Sequence, residues 1–242
     1  MLLYDLAQDQ PVISSDANVP KSIASITKLM TAMVALDYDI NLDRKIKVKR
    51  GSKLPAGLHT RRDVMSAMLV RSDNQAAESL AEDYPGGRTS FVKAMNQRAK
   101  KLQTTHMKFT DPSGLGTGNI ATAGEVAEMV KAAAGYPFIV ETSVKKQTLI
   151  DVRLKQKVRT IELHNTNRPL LFEFDEITIS KTGFTGVAGW CVALMVQKNQ
   201  KNFVVVVLGA KTKQQRLDIT RKVVYNQLRD IEPEQLVSEL SP

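Results

Sequence analysis

Apolar residues recur along this chain with two different periods, and the change between them divides it. Ile26, Leu29, Met30, Met33 and Val34 follow the i, i+3, i+4, i+7, i+8 spacing of one strongly apolar helix face. Ala32 and Ala35 occupy the other side, so neither face of this helix reads as solvated. Thr60-Arg61-Arg62-Asp63 and Thr122-Ala123-Gly124-Glu125 resemble capping boxes, each opening a further helical pattern. Val64, Met65, Met68 and Leu69 line one face of the first, and Val126, Met129, Val130 and Ala133 line one face of the second, which Gly135 ends. Tyr84-Pro85-Gly86-Gly87 breaks the middle of the stretch and Asp111-Pro112-Ser113-Gly114 marks a loop. Helical periodicity therefore dominates from about residue 25 to about residue 135. Within it, Arg44–Arg50 alternates charge with Ile46 and Val48, which suits a half-buried strand.

Outside that stretch the period is two. Leu2–Leu6 and Val12–Ser15 read as strands joined by the turn Gln8-Asp9-Gln10-Pro11. Gln147–Val152 and Val158–Leu163 suit a pair, and Ile177–Lys181, Trp190–Val196 and Phe203–Leu208 follow. The last two are apolar on both faces, as central strands of a sheet covered on both sides must be. A final helix over about Gln214–Leu228 carries Leu217, Val224 and Leu228 on one face. Strands at both ends with helices between them predict an α+β fold. One antiparallel sheet is built from both termini, with a helical lobe inserted over about residues 25–135. The 242 residues are expected to form a single domain, without repeats or a low-complexity linker.

The formal net charge of +9 favours an anionic partner. No basic helix or aromatic-basic ribbon supports nucleic acid as that partner. The single cysteine, Cys191, excludes an intrachain disulfide and suits a small buried hydrophobe. The longest apolar run, Phe203–Ala210, is far short of the ~20 residues of a membrane helix. The opening Met1-Leu2-Leu3-Tyr4-Asp5 is not a signal peptide, so either the protein is cytosolic or a leader has been removed.

Candidate chemistry begins on the first helix. Lys28 sits among apolar residues, where losing water lowers the pKa of its amine. Three-residue spacing places that amine beside the Ser25 hydroxyl, and a first-turn position would add the helix dipole. This is a base-activated nucleophile without histidine. Ser90-Phe91-Val92-Lys93 and Ser143-Val144-Lys145-Lys146 match S-x-x-K too and read as solvent-facing coincidences. Only Ser25 is followed in order by Ser72-Asp73-Asn74, in a break between helices, and by Lys181-Thr182-Gly183, at the end of a strand. That ordered triple is the signature of penicillin-binding proteins and class A β-lactamases. His59, His106 and His164 lack metal-ligand spacing and read as surface or structural residues, and no G-x-S-x-G elbow supports a histidine triad.

Each residue type suits a step of acyl transfer. Ser25 attacks a carbonyl, Lys28 takes its proton, and Ser72 relays a proton to the departing amine. Asn74 holds Lys28 and the substrate amide. Lys181 and Thr182 receive a carboxylate, and the charge of Lys181 helps depress the Lys28 pKa. Gly183 lets the substrate lie along the strand edge. The backbone N–H groups of Ser25 and Phe184 form the oxyanion hole. No metal or cofactor is called for.

Over nearly its whole length the sequence resembles the low-molecular-mass penicillin-binding proteins of the D-Ala-D-Ala carboxypeptidase/endopeptidase family. The segments are YDLAQDQPVISSDANVPKSIASITKLMTAMVALD, RSDNQAAESLAEDYPGGRTSFVKAMNQRAKKLQTTHMKFTDPSGL and ISKTGFTGVAGWCVALMVQ. The S-D-N, YPGG, FVKAMN and KTGFT combination is most similar to the endopeptidase members. The resemblance implies a β-lactamase/transpeptidase-like fold, a leader in the precursor and a periplasmic address. It also implies cleavage of peptidoglycan crosslinks between D-alanine and diaminopimelate, and inhibition by β-lactams as acyl-enzymes. The basic surface would then meet a wall rich in carboxylates. No counterpart of a C-terminal β domain or amphipathic anchor follows the last helix, which leans toward a soluble endopeptidase; the tail EPEQLVSELSP is unassigned. Three alternatives remain open: a carboxypeptidase trimming pentapeptide stems, a class A β-lactamase, and a non-catalytic wall-binding protein. A β-lactamase needs a glutamate to activate water, and Glu162-Leu163-His164-Asn165 comes nearest to presenting one.

Overall fold

The computed structural model describes residues 1–154 and 157–228, so the tail EPEQLVSELSP lies outside the described residues. The chain opens with β1 (Leu2–Asp5), β2 (Gln10–Ser14) and the short β3 (Lys21–Ser22). A 3-10 turn (Ala24–Thr27) then leads into α1 (Lys28–Tyr38). Next come β4 (Lys45–Val48), β5 (Gly57–Thr60), α2 (Arg61–Arg71), α3 (Asn74–Glu82) and α4 (Gly87–Lys101). They are followed by β6 (Ile120–Ala121), α5 (Ala123–Ala133), α6 (Pro137–Ser143) and the hairpin β7 (Gln147–Leu154) and β8 (Lys157–His164). The chain closes with α7 (Arg168–Glu173), β9 (Ile177–Thr185), β10 (Gly189–Lys198), β11 (Lys201–Ala210) and α8 (Lys213–Leu228).

The main sheet is antiparallel with order β2-β1-β11-β10-β9, so strands from both ends share one sheet. Leu3 pairs with Val205, and Val205 pairs in turn with Leu194. Alternation along the central strands feeds two separate cores. Val204, Val206, Ala193 and Met195 join the core under the helices of the inserted lobe. Val205, Val207, Leu194 and Val196 pack on the other face with Val223 and Val224 of α8. The unbroken apolar runs of β10 and β11 follow from this double burial.

Helix α1 runs through the middle of the lobe, with Leu29, Met30, Ala32 and Met33 fully buried, as is Ile26 in the turn before it. Thr122 starts α5 with a complete capping box, accepting from the Glu125 N–H while the Glu125 carboxylate accepts from the Thr122 N–H. Thr122→Ala is expected to cost about 1 kcal/mol and lower the melting temperature by roughly 2–4 °C, read by thermal unfolding. Thr60 also caps α2, but Asp63 returns only a bond with the Thr60 hydroxyl, so that box is incomplete. Its neighbour Arg61 is buried and ties three elements together. It donates to the carbonyls of Ala35 and Asp39 at 2.6 and 2.9 Å and to Asp83 at 2.9 Å.

Several boundaries differ from the periodicity. Gln10 and Pro11 belong to β2 rather than to the turn; β2 is an edge strand, where a residue without an N–H is tolerated. The half-buried strand expected within Arg44–Arg50 is found as β4, with Ile46 and Val48 buried between exposed lysines, but its partner β5 and the short β6 interrupt the helical stretch without a sequence signal. Lys181-Thr182-Gly183 lies inside β9, which continues to Thr185. Ser143 is not solvent-facing: it is fully buried, and its hydroxyl accepts from the Ser180 N–H at 3.3 Å. No helix among the described residues is long and apolar enough to cross a membrane.

Candidate active site

The three motifs meet at one cleft between the helical lobe and the exposed edge of the sheet. Ser25 lies in the 3-10 turn just ahead of α1, not in the first turn of the α-helix. Ala24 before it is buried with φ 45°, a left-handed conformation rare for a residue with a Cβ. Gly183 allows β9 to come this close. A Cβ on it would stand 3.0 Å from Ala24 Cβ, Ile23 O and Ser25 N. The small residue is therefore required by the close approach of the backbone around Ser25.

Lys28 is fully buried, and its Nζ has three neighbours: Ser25 Oγ at 2.8 Å, Asn74 Oδ1 at 2.7 Å and the Ser113 carbonyl at 2.5 Å. Two of these oxygens can only accept. A neutral amine gives its two N–H groups to them, which leaves its lone pair for the Ser25 hydroxyl. Burial pushes the Lys28 amine down to about 7, against the pull of Asp111, Asp73 and Glu78, which favour the charged form. Desolvation is thus the largest influence toward a neutral Lys28 amine, the form able to act as a base.

The Ser113 carbonyl is held in place by a loop that the sequence marked only as a break. Asp111 Oδ1 accepts from Ser113 N, Ser113 Oγ and Gly114 N at 2.8, 2.7 and 2.6 Å, and Oδ2 accepts from Gly116 N at 3.0 Å. Burial raises the Asp111 pKa, but these donors outweigh it and hold the carboxyl below its usual range. Asn119 donates to Thr27 Oγ1 and Asp111 O, and Thr31 donates to the Pro112 carbonyl at 2.6 Å. The loop is thereby fastened to α1 and to the turn that carries Ser25.

Ser72 ends α2 in the left-handed conformation, φ 61°, which turns its hydroxyl toward β9. Asp73 caps α3 through the Ala76 N–H and accepts from Ser52 Oγ and Lys53 N, fixing the break between the helices. Lys181 is buried and donates to Ser72 Oγ and to the Thr182 carbonyl, both at 3.0 Å. Burial, with the charges of Lys28 and Arg216, pushes its amine well below the ordinary lysine value. Lys181 is thus held against Ser72 and does not itself line the cleft where a carboxylate would bind.

Sequence reasoning missed the residue better placed for that task. Arg216 of α8 is buried, lines the cleft, and has no hydrogen-bond partner for Nε or Nη2. No spacing rule connects it to the three motifs. The cleft encloses about 490 Å³ and is lined by Ser25, Ser72, Thr182, Gly183, Phe184 and Arg216, among others, with no carboxylate side chain. Glu162 is exposed on β8 and does not reach the cleft. His164, expected at the surface or in a structural role, does line it, whereas His59 is buried against the Pro55 carbonyl and His106 is exposed beside Glu125. Phe184 is half exposed at the rim and stacks on Trp190 at 4.1 Å.

This architecture is that of the penicillin-binding proteins and DD-transpeptidases. The Streptomyces K15 DD-transpeptidase superposes with a TM-score of 0.86 at 23% identity, covering 93% of this chain and 94% of its own. Penicillin-binding protein D2 from Listeria monocytogenes in its ampicillin-bound form gives 0.79 at 28% identity, covering 96% and 95%. The D-alanyl-D-alanine carboxypeptidase family matches residues 1–212, and the chain belongs to it and is a serine hydrolase. The D-alanyl-D-alanine endopeptidase of Escherichia coli K12 is 34% identical over 220 residues, which is 86% of this chain and 70% of that protein.

Proposed function

We propose that the chain is a serine D-alanyl-D-alanine endopeptidase that opens peptide crosslinks of peptidoglycan through an acyl-enzyme on Ser25. The observation that carries this is the Lys28 amine, buried and matched to two acceptors and one hydroxyl. Ser25 Oγ attacks the D-alanine carbonyl while its proton passes to Lys28 Nζ. The oxyanion is received by the N–H groups of Ser25 and Phe184. Ser72, linked to Lys181, hands a proton to the leaving nitrogen as the C–N bond breaks, and Asn74 positions Lys28 and the substrate amide. Thr182 and Arg216 take the carboxylate beside the leaving nitrogen, with Lys181 acting behind them. Water then hydrolyses the ester. The similarity to named endopeptidases supports the crosslink as substrate, and a peptidoglycan substrate would call for a periplasmic address.

Trimming a terminal D-alanine from pentapeptide stems uses the same acylation with a smaller leaving group, and the family's description favours it as the second activity. A β-lactamase is disfavoured because no lining carboxylate can activate water on a penicilloyl ester. Mass spectrometry of crosslinked muropeptides after digestion decides: dimers should fall to monomers with wild type and persist with Ser25→Ala, which should also take no label from fluorescent penicillin. Release of D-alanine from pentapeptides with dimers intact would reject the endopeptidase in favour of the carboxypeptidase.

A further inference from the structure

The proposed chemistry assigns one cation, Arg216, to one carboxylate, yet the same cleft is lined by two more guanidinium groups. Arg71 is the last residue of α2, directly before Ser72, and is exposed; Arg168 opens α7 and is half-buried. Both line the cleft. Their positions are coupled by the backbone: the Thr166 N–H donates to the Val70 carbonyl at 3.1 Å, so the segment leading to Arg168 is pinned to the residue preceding Arg71. Thr166 also receives the Thr182 hydroxyl at 2.7 Å, which joins this wall to the strand that takes the carboxylate. Arg44, Arg61, Arg88 and Arg221 pair with carboxylates elsewhere in the molecule. Among the described residues no carboxylate pairs with Arg71 or Arg168; Arg168 only lies over the exposed Phe172 ring at 5.3 Å.

The two residues that flank this wall belong to the departing half of the reaction. In the proposed mechanism Ser72 protonates the leaving nitrogen and Thr182 takes the adjacent carboxylate, which would put Arg71 and Arg168, lining the same cleft, on the side of the released peptide. A released D-alanine carries one carboxylate, already matched by Arg216. A released stem carries others, on its glutamyl residue and at its own C-terminus. We propose that Arg71 and Arg168 form a second anion subsite that binds a further carboxylate of the released stem and so favours crosslink cleavage over the release of single D-alanine. The subsite rests on the endopeptidase assignment for its natural ligand, but its chemistry is simply that of an anionic peptide with more than one carboxylate.

The test is the double variant Arg71→Gln/Arg168→Gln, whose exposed or half-exposed positions leave the cores untouched. Its kcat/KM for crosslinked dimers should drop about 10- to 100-fold, the range for losing charge-assisted hydrogen bonds. Penicillin acylation and D-alanine release from pentapeptide should stay within about twofold, and the Arg71→Lys/Arg168→Lys pair should recover part of the loss. An equal fall on all three substrates, or none on dimers, would overturn the subsite. Should the wild type cleave no dimers at all, the endopeptidase assignment fails, and the subsite is judged by binding instead. Free tetrapeptide stem should then slow fluorescent-penicillin labelling of the wild type but not of the glutamine pair, while equal slowing of both would overturn it.

Discussion

Lys28→Met is expected to lower the rate of penicillin acylation by about 10³-fold or more, within the range seen when a general base is removed. Methionine fills similar space without an amine, so the expected loss is chemical rather than a collapse of α1. Lys28→Arg should be equally inactive although it keeps the positive charge, because a guanidinium does not give up its proton at working pH. The wild-type rate should follow the neutral amine. Below the Lys28 value of about 7 the amine is protonated and lacks a free lone pair, so the rate should climb about tenfold per pH unit as pH rises, and level off above 7. Stopped-flow acylation from pH 5 to 9 measures this directly. A flat profile across that range, or an active arginine variant, would remove Lys28 from the role of base.

Gly114→Ala should be the most disruptive single methyl group in the site. Gly114 has φ +80°, and a Cβ there would stand 2.0 Å from the Ala24 carbonyl oxygen and 2.9 Å from Thr27 Oγ1. Neither the loop nor the left-handed residue before the nucleophile can move without breaking the Asp111 and Asn119 bonds. A penalty of about 3 kcal/mol, equivalent to a melting temperature lower by roughly 6–12 °C, is expected together with loss of penicillin labelling. Gly186→Ala is the control, since nothing lies within 4 Å of its Cβ position and its φ is ordinary. Similar melting curves for the two variants would contradict the packing described for the loop.

Most of the nucleophile helix was legible in the chain because burial on all sides leaves a simple trace: small or apolar residues around a single lysine. The two central strands were legible for the same reason. The order of motifs from Ser25 through Ser72 to Lys181 was enough to join distant segments, and the structure brings those segments together. What escaped was set by tertiary contact. Ser25 falls in a 3-10 turn against which Gly183 and Gly114 pack closely, a contact no local propensity records. Ser113 contributes a carbonyl, and any residue has one. Arg216 is separated from Lys181 by two strands in the chain and meets the cleft only because α8 packs back on β10 and β11. Lys181 was expected to face a carboxylate; the depth at which β9 sits against Ser72 buries it instead.

The pairing of β1 with β11 sets the order in which this molecule can assemble. Leu3 finds Val205 only after nearly all the chain between them exists, so the nascent polypeptide cannot complete its sheet early. Until then β1 and the face of α5 that packs on β10 and β11 lack their final cover, and a chaperone that holds extended polypeptide has a long interval in which to bind. Late closure of this kind keeps the chain threadable for as long as the C-terminal strands are withheld.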